Sequence, residues 1–149
     1  METKLIDGKQ IAREIRAELK EKIKALKEAG KPVPKLVVIL VGEDPASEIY
    51  VRNKAKACGW IQMESETIQM RADIREEELL DKIQELNQDP GVNGILVQMP
   101  LPAGFDAEKV LDAIDPSKDV DGFHPMNVGK MAIGTPTALE SCTPAGVIQ

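Results

Sequence analysis

Hydrophobic positions along the chain fall into two alternating rhythms. After Asp7, Ile11, Ile15, Leu19, Ile23 and Leu26 recur three or four residues apart, the spacing of one helical face. Asp7 with Gln10 three residues on reads as a capping box, and Gly30 as a left-handed stop. Past Pro32 and Pro34 the rhythm changes to an unbroken β-branched run, Lys35 to Val41, as expected of a strand covered on both faces. Asp44-Pro45 then predicts a helix over 45–60, because an aspartate caps free N–H groups and proline fits the first helical position. A second strand is expected at Glu64–Met70. A helix framed by Asp73 and Glu76 follows, with Leu79, Leu80, Ile83 and Leu86 as its apolar stripe. Gly94–Met99 reads as a third strand, stopped by Pro100-Leu101-Pro102, and a short helix is expected from about Asp106 to Ile114.

Strands alternating with helices imply βαβ crossovers, so the expected fold class is α/β, three-layer α/β/α, with a mostly parallel sheet. In such sheets ligands bind beyond the carboxyl ends of the strands. Three stretches are expected to converge there: Asp44–Lys56, Gln98, and the Asp119–Gly122 loop. No internal repeat or low-complexity tract appears.

Composition narrows the function classes. The 149 residues suffice for one domain with a core, and 42% hydrophobic with 30% charged residues describes a soluble globular protein. No apolar run approaches a bilayer span, and the N-terminus lacks the order of a signal peptide, so a cytoplasmic chain with no membrane partner is expected. A net charge of −6 with scattered basic residues argues against nucleic acid. Cys58 and Cys142 have no CxxC or Cys-His companions, so the expectation is reduced thiols acting as small buried fillers, and no metal site.

Candidate chemistry sits on the 45–60 helix. Tyr50 and Lys54 are four residues apart and so share a face, with Ala46 before and Cys58 after. The bland alternative is a phenol and an ammonium on a solvated surface. Gln98, at a strand end, could accept a hydrogen bond from Lys54 and donate elsewhere, or merely satisfy local backbone. In Asp119-Val120-Asp121-Gly122 either carboxylate could accept paired hydrogen bonds from a planar ligand, or serve only the turn. Ser47 reads as a helix-terminal hydroxyl, and His124, the sole histidine, as structural.

Four motifs together resemble the bifunctional methylenetetrahydrofolate dehydrogenase/methenyltetrahydrofolate cyclohydrolase family. They are Asp44-Pro45-Ala46-Ser47 with Tyr50, Lys54 and Lys56; Gly94 to Pro102; Lys118 to Pro125 with Asn127-Val128-Gly129; and Cys142 to Gly146. The resemblance covers nearly the whole chain and implies the N-terminal, folate-binding half of an amino-acid-dehydrogenase-like fold. Its catalytic residues would be Lys54, Gln98 and Tyr50. Its substrate-binding residues would be Tyr50 against the aminobenzoyl ring, Asp121 on the pterin, Gln98, and Pro100, Leu101 and Pro102 as a wall. Lys54 would move protons during hydrolysis, its pKa lowered by burial beside Arg52 or Lys56.

The resemblance also implies tetrahydrofolate derivatives as ligands, a homodimer for the full-length protein, and NADP as the cofactor. The NADP site would lie in a Rossmann domain beyond this chain, since Gly91, Gly94 and Gly104 lack the spacing of a dinucleotide turn. Residues 1–140 would form the folate domain, and 141–149 the start of a helix near Thr143-Pro144 leading onward. One local departure stands out: the family usually has a glycine where this chain has Gln62, while Gly59 comes earlier.

Overall fold

A computed structural model describes residues 6–148; Met1–Leu5, at the start of the expected folate domain, and Gln149 lie outside the described residues. The order of elements is α1 (Gly8–Glu28), β1 (Lys35–Val41), α2 (Pro45–Ile61), β2 (Glu64–Met70), α3 (Glu76–Gln88), β3 (Gly94–Val97), α4 (Ala107–Asp112), α5 (Pro125–Ala132) and α6 (Cys142–Ile148). The three strands form one parallel sheet in the order β2-β1-β3. This is the α/β arrangement expected of strands separated by helices.

The uninterrupted apolar run of β1 is explained by burial on both sides. Val37, Ile39 and Val41 pack with Leu79, Ile83 and Leu86 of α3 and with Val110 and Ile114 around α4. Val38 and Leu40 point the other way, onto Val51 of α2 and Leu96 of β3. Helix α2 therefore covers one face and α3 with α4 the other, while α1 packs against α2. β2 is the exposed edge, and no residue in it is fully buried.

Helix ends follow local chemistry. Asp7 Oδ1 accepts from the N–H groups of Lys9 and Gln10, but the Gln10 amide turns to Glu14 at 2.9 Å. The capping box expected there is thus only half formed. Gly30, at φ +65°, ends α1 as expected, with Lys31 N–H donating to Leu26 and Gly30 N–H to Lys27, a Schellman motif. The apolar stripe of α1 is less buried than its spacing suggests, for Ile23 is buried while Ile15 and Leu19 are exposed. The covering layer here is a single helix, α2, too narrow for the whole stripe.

The same Schellman pattern ends α2, where Met63 N–H donates to Cys58 and Gln62 N–H to Gly59. The helix runs through Gly59, and Gln62 takes the left-handed position at φ 63°. Strand β3 ends at Val97, earlier than its apolar run, because Gln98 N–H leaves the ladder at its last bond to Ile39. Helix α5 was absent from the sequence reading. Its signature was present nonetheless: His124 caps it by accepting Met126 N–H on Nδ1 at 3.0 Å, and Pro125 takes the first turn, as Asp44-Pro45 does for α2.

Candidate functional site

The cavity of interest lies against the α2 face of the sheet, between α2 and the 118–123 segment, and has a volume of about 680 Å³. That size suits a small organic ligand. Its walls are largely apolar, with Leu36, Leu96, Met63, Val120 and Phe123, and Tyr50, Lys54, Gln98 and Asp121 all open into it. Groups at positions 50, 54, 98 and 121 are thus gathered at one place, as expected. The cavity does not sit wholly beyond the carboxyl ends of the strands, however. It extends down the sheet face to Pro34, Lys35, Asn93 and Gly94, at the opposite ends of β1 and β3.

The physical reason is the placement of the Asp119 loop. Ile95 N–H donates to Lys118 at 2.8 Å, and Ile95 pairs with Asp119 as a short parallel bridge. This lays the loop alongside β3 and not above its end. Lys118 anchors the loop from the other side: its ammonium donates to the carbonyls of Leu86, Asn87 and Asp89 at 2.7–2.8 Å, neutralising the C-terminal end of α3.

The two aspartates differ in their hydrogen bonding. Asp119 is buried and accepts from Gly122 N–H, His124 N–H and the Asn127 amide at 2.9–3.1 Å. Its lone pairs are committed to the loop and to the start of α5. Asp121 makes no hydrogen bond or ion pair among the described residues, and it faces the cavity. Burial pushes its pKa up, Asp119 pushes the same way, and the Lys54 ammonium partly opposes them. A half-buried carboxylate free of protein partners is available to donors on a ligand.

Lys54 and Gln98 form the pair the sequence suggested. Lys54 Nζ donates to Gln98 Oε1 at 3.3 Å, and Gln98 Nε2 donates to the Met99 carbonyl at 2.7 Å. The amide is held from one side and holds the amine from the other, with no added charge. Arg52 and Lys56 do not join them. Arg52 is absent from the cavity walls, and Lys56 lines a separate depression with Arg13 and Arg16. Two residues along a helix is about 200°, which turns side chains to opposite sides. The charged group that faces Lys54 is Asp121, an acid rather than the expected cations.

Tyr50 is 64% exposed, so it is a rim residue and not a core tyrosine. Pro100, Leu101 and Pro102 follow Gln98 in the chain but do not line the cavity. Leu101 packs against the α3 side of the core, and Pro102 sits against Gly42. Ser47 is buried at the first turn of α2, its N–H bonded to Asp44 at 2.8 Å. Cys58 is buried, as expected, and its thiol pKa is raised by burial. Cys142 is exposed, contrary to expectation, because α6 begins on it with only the Val120 carbonyl nearby at 3.5 Å. Both thiols are free and both line the cavity. Phe123 and Thr143 also line it. Neither was singled out from sequence, although Phe123 directly follows the Asp-Gly turn.

Gly122 explains why that turn is Asp-Gly. At φ +68°, a Cβ there would meet the backbone of Leu139 and Ser141 at 2.8 Å. The segment leading into α6 is thereby pressed onto the Asp119 loop. The β1–α2 junction, where a dinucleotide fold seats a pyrophosphate, does not fit one. Asp44 occupies the α2 N-terminus with its carboxylate, kept ionised by the Ser47 N–H. No group of three or more potential metal ligands occurs among the described residues, and no helix there is long and apolar enough to cross a membrane.

One apolar cavity of an α/β domain thus holds both a lysine–amide pair and an uncommitted carboxylate. The chain belongs to the family described as tetrahydrofolate dehydrogenase/cyclohydrolase, catalytic domain, which residues 6–121 match. It is 54% identical to the bifunctional protein FolD of Desulfovibrio desulfuricans over 97% of its length, and 53% identical to that of Chloroherpeton thalassium. Its fold superposes on the FolD methylenetetrahydrofolate dehydrogenase/cyclohydrolase of Campylobacter jejuni with TM-score 0.92 and 46% identity, covering 95% of this chain and 50% of that one. The Trypanosoma brucei FolD, solved with NADP cofactor and an inhibitor, gives TM-score 0.92 at 31% identity, with 99% and 50% covered. The chain spans about half the length of the curated relatives it matches.

Proposed function

We propose that this chain supplies the folate site and the proton-transfer lysine for interconversion of one-carbon tetrahydrofolates. The reactions are oxidation of 5,10-methylene- to 5,10-methenyl-tetrahydrofolate and hydrolysis of the latter to 10-formyl-tetrahydrofolate. The observation that carries the reading is the Lys54–Gln98 hydrogen bond in the same cavity as the unpartnered Asp121. The carboxylate of Asp121 accepts two parallel hydrogen bonds from the amino-pyrimidinone edge of the pterin. Tyr50 offers its ring face to the aminobenzoyl group at the rim.

Hydrolysis then needs one base that later acts as an acid. Water attacks the electrophilic bridging carbon and gives a proton to the Lys54 amine. The ammonium returns it to the ring nitrogen whose bond to that carbon breaks, while the new hydroxyl loses its proton to solvent and becomes the formyl carbonyl. Gln98 keeps the amine aimed throughout, while Pro100, Leu101 and Pro102, next in the chain, support the turn that carries it and do not wall the cavity. NADP, when bound, would supply the hydride acceptor for the oxidation step, and its site would lie in the nucleotide-binding part of the complete protein. Residues 1–140 constitute the folate domain, and 141–149 open the helix that leads to the nucleotide-binding part. The complete protein works as a cytoplasmic homodimer feeding one-carbon units to purine biosynthesis.

The test is hydrolysis of 5,10-methenyl-tetrahydrofolate by this chain and by Lys54→Met. Loss of the proton-transfer group lowers the rate by about 100-fold or more while folate binding persists. An unchanged rate contradicts the assignment. Folate binding without hydrolysis by the unaltered chain would reduce its role to a folate-binding module.

A further inference from the structure

Among the described residues Asp121 has no hydrogen-bonding partner, so its place in the cavity is inherited from the backbone around it. That backbone is tied on both sides. Downstream, the Asp119 carboxylate accepts from Gly122 N–H at 3.1 Å and His124 N–H at 2.9 Å. Upstream, the Lys118 carbonyl accepts from Ile95 N–H and the Lys118 N–H donates to Asp115, both at 2.8 Å. The downstream tie starts from Asp119, the residue next to Lys118, so both depend on where Lys118 is held.

Lys118 is held by α3, on the sheet face away from the cavity. Its ammonium has three N–H groups and three acceptors, the main-chain carbonyls of Leu86, Asn87 and Asp89 at 2.7–2.8 Å. The last turn of α3 has no basic residue of its own, so Lys118 supplies the cation that the C-terminal end of a helix dipole attracts. It is in no ion pair among the described residues. Asn87, from the same end of α3, donates to the Ala113 carbonyl at 2.8 Å and accepts from Asp115 N–H at 2.9 Å. The end of α3 therefore grips the chain over 113–118, just before the carboxylate that faces the cavity.

We propose that Lys118 is a positioning residue for folate recognition: by fixing the 118–122 backbone on the end of α3, it aims the Asp121 carboxylate at the 2-amino group and ring N–H of the pterin. The inference rests on the folate reading above. Two parallel hydrogen bonds require both carboxylate oxygens to be aligned at once, so a small swing of this loop weakens the pair. Lys54 and Gln98, on α2 and at the end of β3, keep their own hydrogen bond meanwhile.

The experiment is calorimetry on this chain with two ligands, 5-formyl-tetrahydrofolate and its analogue carrying hydrogen in place of the 2-amino group. The parent binds the amino ligand about tenfold or more tighter, as a hydrogen bond to a charged group gives. Lys118→Met cuts that preference to about twofold, because the lost contact is one the analogue never makes. A role in stability alone would lower both affinities by the same factor, through the folded fraction, and keep the preference. Ile83→Val, which trims the buried side of α3 without touching the loop, destabilises the chain and keeps the full preference. Lys118→Gln, a shorter donor, gives an intermediate preference and serves should Lys118→Met fail to fold.

An undiminished preference in either folded Lys118 variant overturns the inference, and so does a loss of preference in Ile83→Val. A parent that binds both ligands equally removes the Asp121 contact on which the inference depends. A parent that does not bind 5-formyl-tetrahydrofolate overturns the folate reading itself.

Discussion

Gly94 opens β3 directly beneath the Asp119 loop, and a methyl group there tests whether that contact places Asp121. A Cβ on Gly94 would lie 2.5 Å from Val120 Cγ1 and 3.4 Å from Leu36 Cδ1. Neither neighbour can yield easily. Val120 is β-branched and packs against the cluster of Val38, Leu40, Val51 and Leu96, while the backbone just before it is pinned by the Ile95–Lys118 hydrogen bond and the Ile95–Asp119 bridge. Gly94 does not have a positive φ, so alanine itself carries no backbone penalty and would otherwise stabilise by about 0.4–1 kcal/mol.

The expected net cost of Gly94→Ala is about 1–3 kcal/mol from overpacking, together with weaker folate binding as residues 120–121 move outward. Val120→Ala removes the clashing methyl, so the double variant should recover at least about 1 kcal/mol relative to the sum of the single changes. Urea denaturation of the four proteins measures this cycle. Additive single effects, or a Gly94→Ala protein as stable as the parent with unchanged folate affinity, would refute the argument that this packing positions Asp121.

Other expectations are as direct. Gln62→Gly should stabilise the chain by about 0.5–1 kcal/mol, because it relieves a left-handed residue at the cost of only a weak 3.4 Å hydrogen bond to Lys27; thermal unfolding measures it. Asp119→Ala orphans three donors and should destabilise by about 3 kcal/mol or more, whereas Asp121→Ala should cost no stability and should abolish folate binding. The pKa of Asp121 is raised in the folded chain, so folding favours its protonated form. Its contribution to stability is greatest in acid and is lost as pH rises through the folded pKa, while its affinity for a pterin rises over the same interval. A plot of folate affinity against pH should therefore show an acidic limb above the ordinary aspartate value of about 3.9, absent from Asp121→Asn. His124→Ala should cost about 1 kcal/mol through loss of the α5 cap.

Much of the fold was legible because its signals are local. The β-branched run of β1 declared burial on both faces, and Asp44-Pro45 declared the start of α2. What escaped depends on contacts distant in sequence. That Ile15 and Leu19 stay exposed depends on how wide the layer over α1 is, which no periodicity reports. The loop was expected at the carboxyl rim, but Ile95 pairs with Asp119 and lays it along β3. Likewise a Tyr-x-x-x-Lys spacing reveals a shared face but not which charges stand opposite; Lys54 faces Asp121, not Arg52 or Lys56. Helix α5 is the one omission for which the sequence did hold the signal, in His124-Pro125.

The most direct test of the account is a nuclear magnetic resonance titration of the isotopically labelled chain with 5-formyl-tetrahydrofolate. The largest shifts should fall on Tyr50, Lys54, Gln98, Asp121 and Phe123, and should vanish in Asp121→Ala. Shifts centred on α3 and α4, across the sheet, or binding indifferent to Asp121, would contradict it.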